Sequence, residues 1–210
     1  MAYSMQDGMN YKLLPYPAKM FSTVQIGEEE GRKVLLDRHF TDNSADYFIN
    51  GAKKDDGSYE PLEWGNLNAD IYVDPVSVNM ALVQTQNFVS LADELNRMGR
   101  KEEAKKLLDI CEENFPAKNF PRDKYSIQML GVYKDVYGAE KAKELWKQIE
   151  EYYMQQYIYL SQFRGTKAKG VRYDLEECIY VFAELAKRAH EILGDDALAK
   201  DLQPILSSVR

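Results

Sequence analysis

Cysteine and histidine are scarce in this chain, with two of each among 210 residues. His39 and His190 lie far apart, and neither has a second histidine or a cysteine at metal-ligand spacing, so the pattern points away from a zinc-type site. Cys111 and Cys178 form no CxxC motif, and each falls within an apolar helical pattern where cysteine acts as a small hydrophobe. They leave the redox compartment unassigned. A long hydrophobic run is also missing. No stretch is apolar over the length a bilayer requires, and the opening MAYSMQDGMNYK has neither the basic nor the apolar region of a signal peptide. The expectation is a soluble chain with no direct membrane insertion.

Positive charge is in deficit. Lys and Arg number 27 against 34 Asp and Glu, a formal net charge of -7, with a pI near 5.0. Phosphate backbones and anionic lipids are held by clustered Lys and Arg, so nucleic acid is not an expected partner. The charge is read as serving solubility.

Catalytic signatures are absent as well. There is no GxSxG, Walker or GxGxxG loop, and GTKAKG at 165–170 lacks the ordered strand before it that a phosphate cradle needs. It reads as a basic loop between helices. The acid pairs Glu112-Glu113, Glu150-Glu151 and Glu176-Glu177 are adjacent residues on helical patterns, which diverge by about 100°. They read as solvated helix faces rather than as a catalytic pair. No catalytic residue, metal or organic cofactor is expected, and the chain by itself is not expected to be an enzyme.

What is present is enough apolar material for a core, 45% of the residues, and a change of organisation near Asp74. Upstream, residues 1–73 carry Pro15, Pro17 and Pro61, short apolar runs such as YKLLPY and KVLL, and the polar insert NGAKKDDGSYEP. These read as an irregular segment of short strands and loops packing on a helical part. Downstream, over residues 74–210, the apolar spacing becomes helical. Asp74-Pro75 is a strong helix start, because aspartate accepts from free backbone amides and proline at the first helical position sacrifices no bond. The helix should run to Met98, close at Gly99, and restart at Lys101 until Pro116 stops it.

That hairpin matches a tetratricopeptide unit. Phe88, Leu91, Ala92 and Leu95 occupy the apolar positions of its first helix, Gly99 the turn, and Ala104, Leu108, Cys111 and Pro116 the second helix and its end. A weaker copy comes next, with Met129, Leu130 and Tyr133, then Gly138, then Ala142, Trp146 and Ile149. Its glycine-to-alanine spacing is one residue shorter, so its turn must differ. The second helix should continue to Leu160, because Trp146, Ile149, Tyr153, Tyr157 and Leu160 share a stripe. A third pair is expected from Asp174 to Leu193 and from Asp195 to Leu206, with Gly194 and Ala199 repeating the first spacing and Pro204 working against the last turn. The fold class is therefore mainly α: about three tetratricopeptide-like hairpins after an irregular, strand-bearing N-terminal segment.

In stacked hairpins the first helix of each unit lines a concave groove. The groove positions here are Gln86, Val89, Asp93, Asn96 and Arg97, then Lys124, Ile127, Lys134 and Asp135. That mixture suits a protein or peptide partner, with Arg97 and Lys134 directed at carboxylates. The tyrosine run EEYYMQQYIYL has a period that turns most rings toward neighbouring helices.

Four segments, YKLLPYPAK, EWGNLNADIYVD, ALVQTQNFVSLADELNRMGRKEEAKKLLD and YDLEECIYVFAELAKRA, together resemble the soluble C-terminal region of a bacterial family of many-spanning membrane proteins, the protein-O-mannosyltransferase-like glycosyltransferases. The resemblance runs from about Tyr11 to the end. It departs from the family in a longer insert around Gly51 to Pro61 and in lacking the membrane portion. The family's catalytic acids are expected in an extracytoplasmic loop near the N-terminus of the full protein, so none is carried over. The resemblance implies a fragment or detached relative of a protein handling lipid-linked sugars, on the extracytoplasmic (periplasmic) side of a membrane; a standalone protein would be cytoplasmic. Its implied role is a non-catalytic interaction or scaffolding domain that recruits an acceptor protein or supports the membrane-embedded part of its parent. The alternative is a carbohydrate-binding or carbohydrate-processing accessory domain using Trp64, Tyr72 and the tyrosine run.

Overall fold

The computed structural model describes residues 42–64 and 72–208. The runs YKLLPY and KVLL, His39, and Gly65–Ile71 lie outside the described residues. The chain is mainly helical, with one short two-stranded sheet among the described residues. By contact the described residues divide into two compact units, one of 42–64 with 90–110 and the other of 72–89 with 111–208. The division therefore does not coincide with the boundary at Asp74.

In the first unit a helix over 42–50 (α1) precedes strands β1 (Ala52–Lys53) and β2 (Tyr59–Glu60), paired antiparallel with Ala52 opposite Glu60. The strands fall in the polar insert of the segment expected to carry short strands. The helix is not foreseen by the sequence pattern, which reads this segment as irregular, and its described residues are held by side-chain bonds. Asp46 accepts from the Tyr59 hydroxyl at 2.8 and 2.9 Å and from the Asn50 amide at 2.8 Å, which ties the helix to β2. Gly51 joins them with φ 102°, and a Cβ there would meet the Glu60 carbonyl oxygen at 2.0 Å. Only glycine fits both demands.

Helix α2 (Pro75–Arg97) starts as its sequence dictates. Asp74 Oδ1 accepts from the Val76 and Ser77 amides at 3.0 and 3.1 Å. It ends in a Schellman turn: Gly99, at φ 78°, donates to the Asn96 carbonyl, and Arg100 donates to that of Leu95 at 2.8 Å. Helix α3 (Lys101–Asn114) begins at once. The first unit takes in residues 90–110, on both sides of this turn. Leu91, Ala92, Leu95, Ala104, Leu107 and Leu108 within it are buried. Arg100 clamps the turn, donating to both Glu103 oxygens at 2.8 and 2.6 Å and pairing with Asp42 of α1.

In the second unit a short 3-10 turn, Lys124–Gln128, leads into α4 (Met129–Tyr137) and α5 (Ala139–Leu160). Gly138 alone links these helices at φ 103°, a tighter turn than that at Gly99, as the shorter spacing requires. Residues 165–170 are not the loop read from their composition: Gly165 leads into a short helix, α6 (Thr166–Gly170). Helix α7 (Arg172–Arg188) then buries Cys178, Val181, Phe182 and Leu185 and packs on α5. Trp146 Nε1 donates to the Leu185 carbonyl at 2.9 Å, and Tyr157 meets Phe182 edge-on at 5.8 Å.

The chain continues α7 as a π turn, Ala189–Leu193, which Gly194 closes at φ 64°. The partner helix expected from Asp195 to Leu206 is broken. Residues 196–199 form turns, a 3-10 turn spans Lys200–Leu202, and α8 spans Gln203–Ser208. Pro204 sits in the first turn of α8, where its missing amide costs nothing, so the proline starts a helix there instead of fraying the end of a longer one.

Candidate functional site

The predicted groove residues fall in both compact units, and each unit shows its own arrangement. In the first, Asp93 and Arg97 pair with each other at 2.5 Å along α2, and Glu94 lies 3.8 Å from the same guanidinium. In the second, Gln86 is half-buried, while Val89 is buried and points into the core rather than toward a ligand. Lys134 is exposed but donates to the Ile192 carbonyl, and Asp135 is exposed beside it in sequence. Ile127 is buried, yet it and Lys124 share a cavity of about 400 Å³.

Two elements build this cavity. The first is the 3-10 turn, which exists because Asp123 accepts from the Tyr125 amide at 3.0 Å. Burial pushes the Asp123 carboxyl above its usual range. The turn contributes Lys124, Tyr125, Ile127 and Gln128. The second is one stripe of α7, Glu177, Tyr180, Glu184 and Arg188, spaced three, seven and eleven residues from its first member and adjacent to the buried stripe that docks the helix.

The charges within it are unequal in their partners. Lys124 Nζ pairs with Glu177 Oε2, and that bond raises the lysine's pKa. Tyr153, reaching across from α5, accepts the Lys124 backbone amide at 3.0 Å and donates to Glu177 Oε1 at 3.3 Å. Burial holds its phenol in the neutral form. Lys124 also stands 5.5 Å from the Tyr125 ring centroid. Arg188 is different: its Nε lies 3.9 Å from Glu184 Oε2, beyond hydrogen-bond range, and is buried with no hydrogen-bond partner. Tyr125 and Tyr180 are exposed. The cavity is thus lined by an arginine whose buried Nε has no hydrogen-bond partner, a lysine held in place, and two accessible rings.

Glu177, Tyr180, Glu184 and Arg188 were not among the groove residues expected from sequence. Their spacing marks a single helix face, but a solvated face has the same spacing. The acid pairs also divide. Glu176 pairs with Arg172 at 2.7 Å while Glu177 holds Lys124, so the two diverge as expected, but Glu177 is not simply solvated. Glu112 likewise holds a buried arginine, Arg122, at 2.9 Å. His190 is exposed and pairs with Asp196 at 2.8 Å.

The aromatics of the alternative reading are dispersed. Trp64 stacks on Phe48 at 6.4 Å, Tyr153 is buried, and Tyr72 and Tyr159 are exposed. Among the described residues no helix is long and apolar enough to cross a membrane, and no group of three or more His, Cys, Asp or Glu could hold a metal ion. No protein-family model, curated protein or solved structure matches the chain.

Proposed function

We propose that this chain is a non-catalytic interaction domain that holds an acidic peptide segment in the cavity between the 124–128 turn and α7. The observation that supports this is Arg188, whose Nε is buried without a hydrogen-bond partner at the wall of a cavity shared with Lys124. A buried donor left unpaired is costly, and a carboxylate is the acceptor a guanidinium pairs with best. Tyr125 and Tyr180 supply apolar area for the residues flanking that carboxylate. Arg97 and Lys134, the cations first assigned to this role, already have partners in Asp93 and the Ile192 carbonyl.

The test is a fluorescence-anisotropy titration with a labelled peptide carrying glutamates beside an aromatic residue. Binding that weakens with salt, and at least about tenfold in Arg188→Ala, supports the reading. Equal affinity in that variant, with its circular dichroism unchanged, removes it.

A second reading draws on the two exposed tyrosines beside Glu177 and Glu184, a set that also suits a sugar ring. Titration with neutral oligosaccharides, insensitive to salt, separates the two. The resemblance to glycosyltransferase-like membrane proteins supports a place on the extracytoplasmic side, beside the membrane-embedded part of such a parent. Protease accessibility in intact and permeabilised cells tests that placement.

A further inference from the structure

The N-terminal half of α2 exposes an apolar ridge that the peptide cavity does not involve. Val76, Met80 and Val83 are 68%, 65% and 55% exposed. With Asn87, also exposed, they succeed one another at intervals of four, three and four residues, so at about 100° per residue they form one line along the helix. Immediately beside this ridge lies an apolar cleft of about 400 Å³. Its helix wall is Asp74, Ser77, Met80, Ala81 and Gln84, and Phe115 and Phe120 form the opposite side. These rings meet edge-on at 5.6 Å. Tyr72, 86% exposed, stands at its mouth.

The charge pattern indicates what covers this face. From Pro75 to Ala92 the sequence contains no Asp, Glu, Lys or Arg, although these make up 29% of the chain. Interface centres are depleted of charge in just this way, whereas solvated faces are not. A chain with a net charge of -7 repels a second copy of itself over most approaches, and on this face the only charged group that lines the cleft is Asp74 at the helix start, so that repulsion is weak. A ridge running alongside a groove on one surface is also self-complementary: turned about a two-fold axis, the ridge of one copy meets the groove of the other.

We infer that this face is an isologous homodimer interface, with α2 of one protomer lying antiparallel to α2 of its partner and the axis passing close to Met80. The partner is a second copy of this chain. The inference is independent of the peptide cavity, with which this face shares no lining residue.

Sedimentation equilibrium of the full chain, from low micromolar to several hundred micromolar, tests it. The expected result is a monomer–dimer equilibrium whose dissociation constant rises at least about tenfold in Met80→Glu, with circular dichroism unchanged. Val83→Asn provides the same readout if Met80→Glu fails to fold. A Met80→Cys variant should cross-link to itself under mild oxidation, since Cys111 and Cys178 are buried. A monomer mass at every concentration overturns the inference. So does a dimer that neither substitution weakens, or one that Met80→Cys fails to trap. A monomer that co-sediments with neutral phosphatidylcholine vesicles also overturns it, assigning the face to a lipid surface.

Discussion

Arg122 is fully buried and pairs through Nη2 with Glu112 at 2.9 Å, while Glu112 still reaches solvent. The Tyr133 hydroxyl donates to the same Glu112 oxygen, and Arg122 Nε and Nη1 have no hydrogen-bond partner. One carboxylate therefore compensates a buried guanidinium at the start of the segment that leads into the 124–128 turn. Glu112→Ala leaves that charge uncompensated and should destabilise the fold by about 3–5 kcal/mol. Adding Arg122→Met should restore most of the loss, since an apolar side chain of similar length needs no counter-charge. Urea denaturation of the single and double variants measures both; equal losses in the two would show that the pair is not what matters.

The two thiols make stability depend on alkaline pH. Burial pushes Cys111 up to about 12 and Cys178 up to about 11 from an ordinary value of 9.0. A raised acid pKa means the folded chain keeps a proton that the unfolded chain releases, so the contribution is complete below pH 9.0 and is lost as pH rises toward the folded values. Thermal denaturation should show stability falling above that point, less steeply in Cys111→Ala with Cys178→Ala. Both thiols should resist alkylation in the native state at about pH 8 and react after denaturation.

The Asp74 cap makes the opposite prediction at acid pH. Its bonds from Ser77 hold the carboxyl below the usual range, so its contribution is present above the unfolded pKa and is lost as pH falls through the folded one. Asp74→Ala should lower the urea midpoint at neutral pH and have no further effect once the wild-type carboxyl is protonated. An equal shift at both pH values would refute the cap.

Leu95 and Leu108 are fully buried, and truncating either to alanine should cost about 2–5 kcal/mol. Cys111→Ala removes a smaller group and should cost less. Leu91 lies at the edge of the buried set and should fall between them. Chemical denaturation of the four variants ranks them, and unchanged midpoints in the leucine variants would remove their assignment to the core.

Much of the architecture is legible because its causes are local. Asp74-Pro75, Gly99 and Gly138 act through their own backbone angles and neighbouring amides, so their meaning survives any arrangement of the rest. The stripe from Trp146 to Leu160 is readable for the same reason: a helical period of apolar residues needs a core, whichever helix supplies it. The helix described over 42–50 is not legible, because it is tied down by Tyr59 from a strand beyond it. Nor is the broken end after Gly194, where the spacing of the first hairpin recurs without its geometry.

The candidate site divides along the same line. Lys124 and Ile127 stand among the groove positions expected from the sequence, but Arg188 looks like any cation on the polar side of α7 until the 124–128 turn is placed against that helix. Glu112 and Glu177 look solvated until each receives a cation from a distant segment. Sequence alone determined the helical class, the two glycine turns and the start of α2, because hydrogen bonds within a few residues specify them. Only the tertiary structure decided which acids are paired, which cations keep nitrogens without a hydrogen-bond partner, and which apolar residues stay outside the core, because burial and charge pairing depend on chain segments that no local spacing brings together.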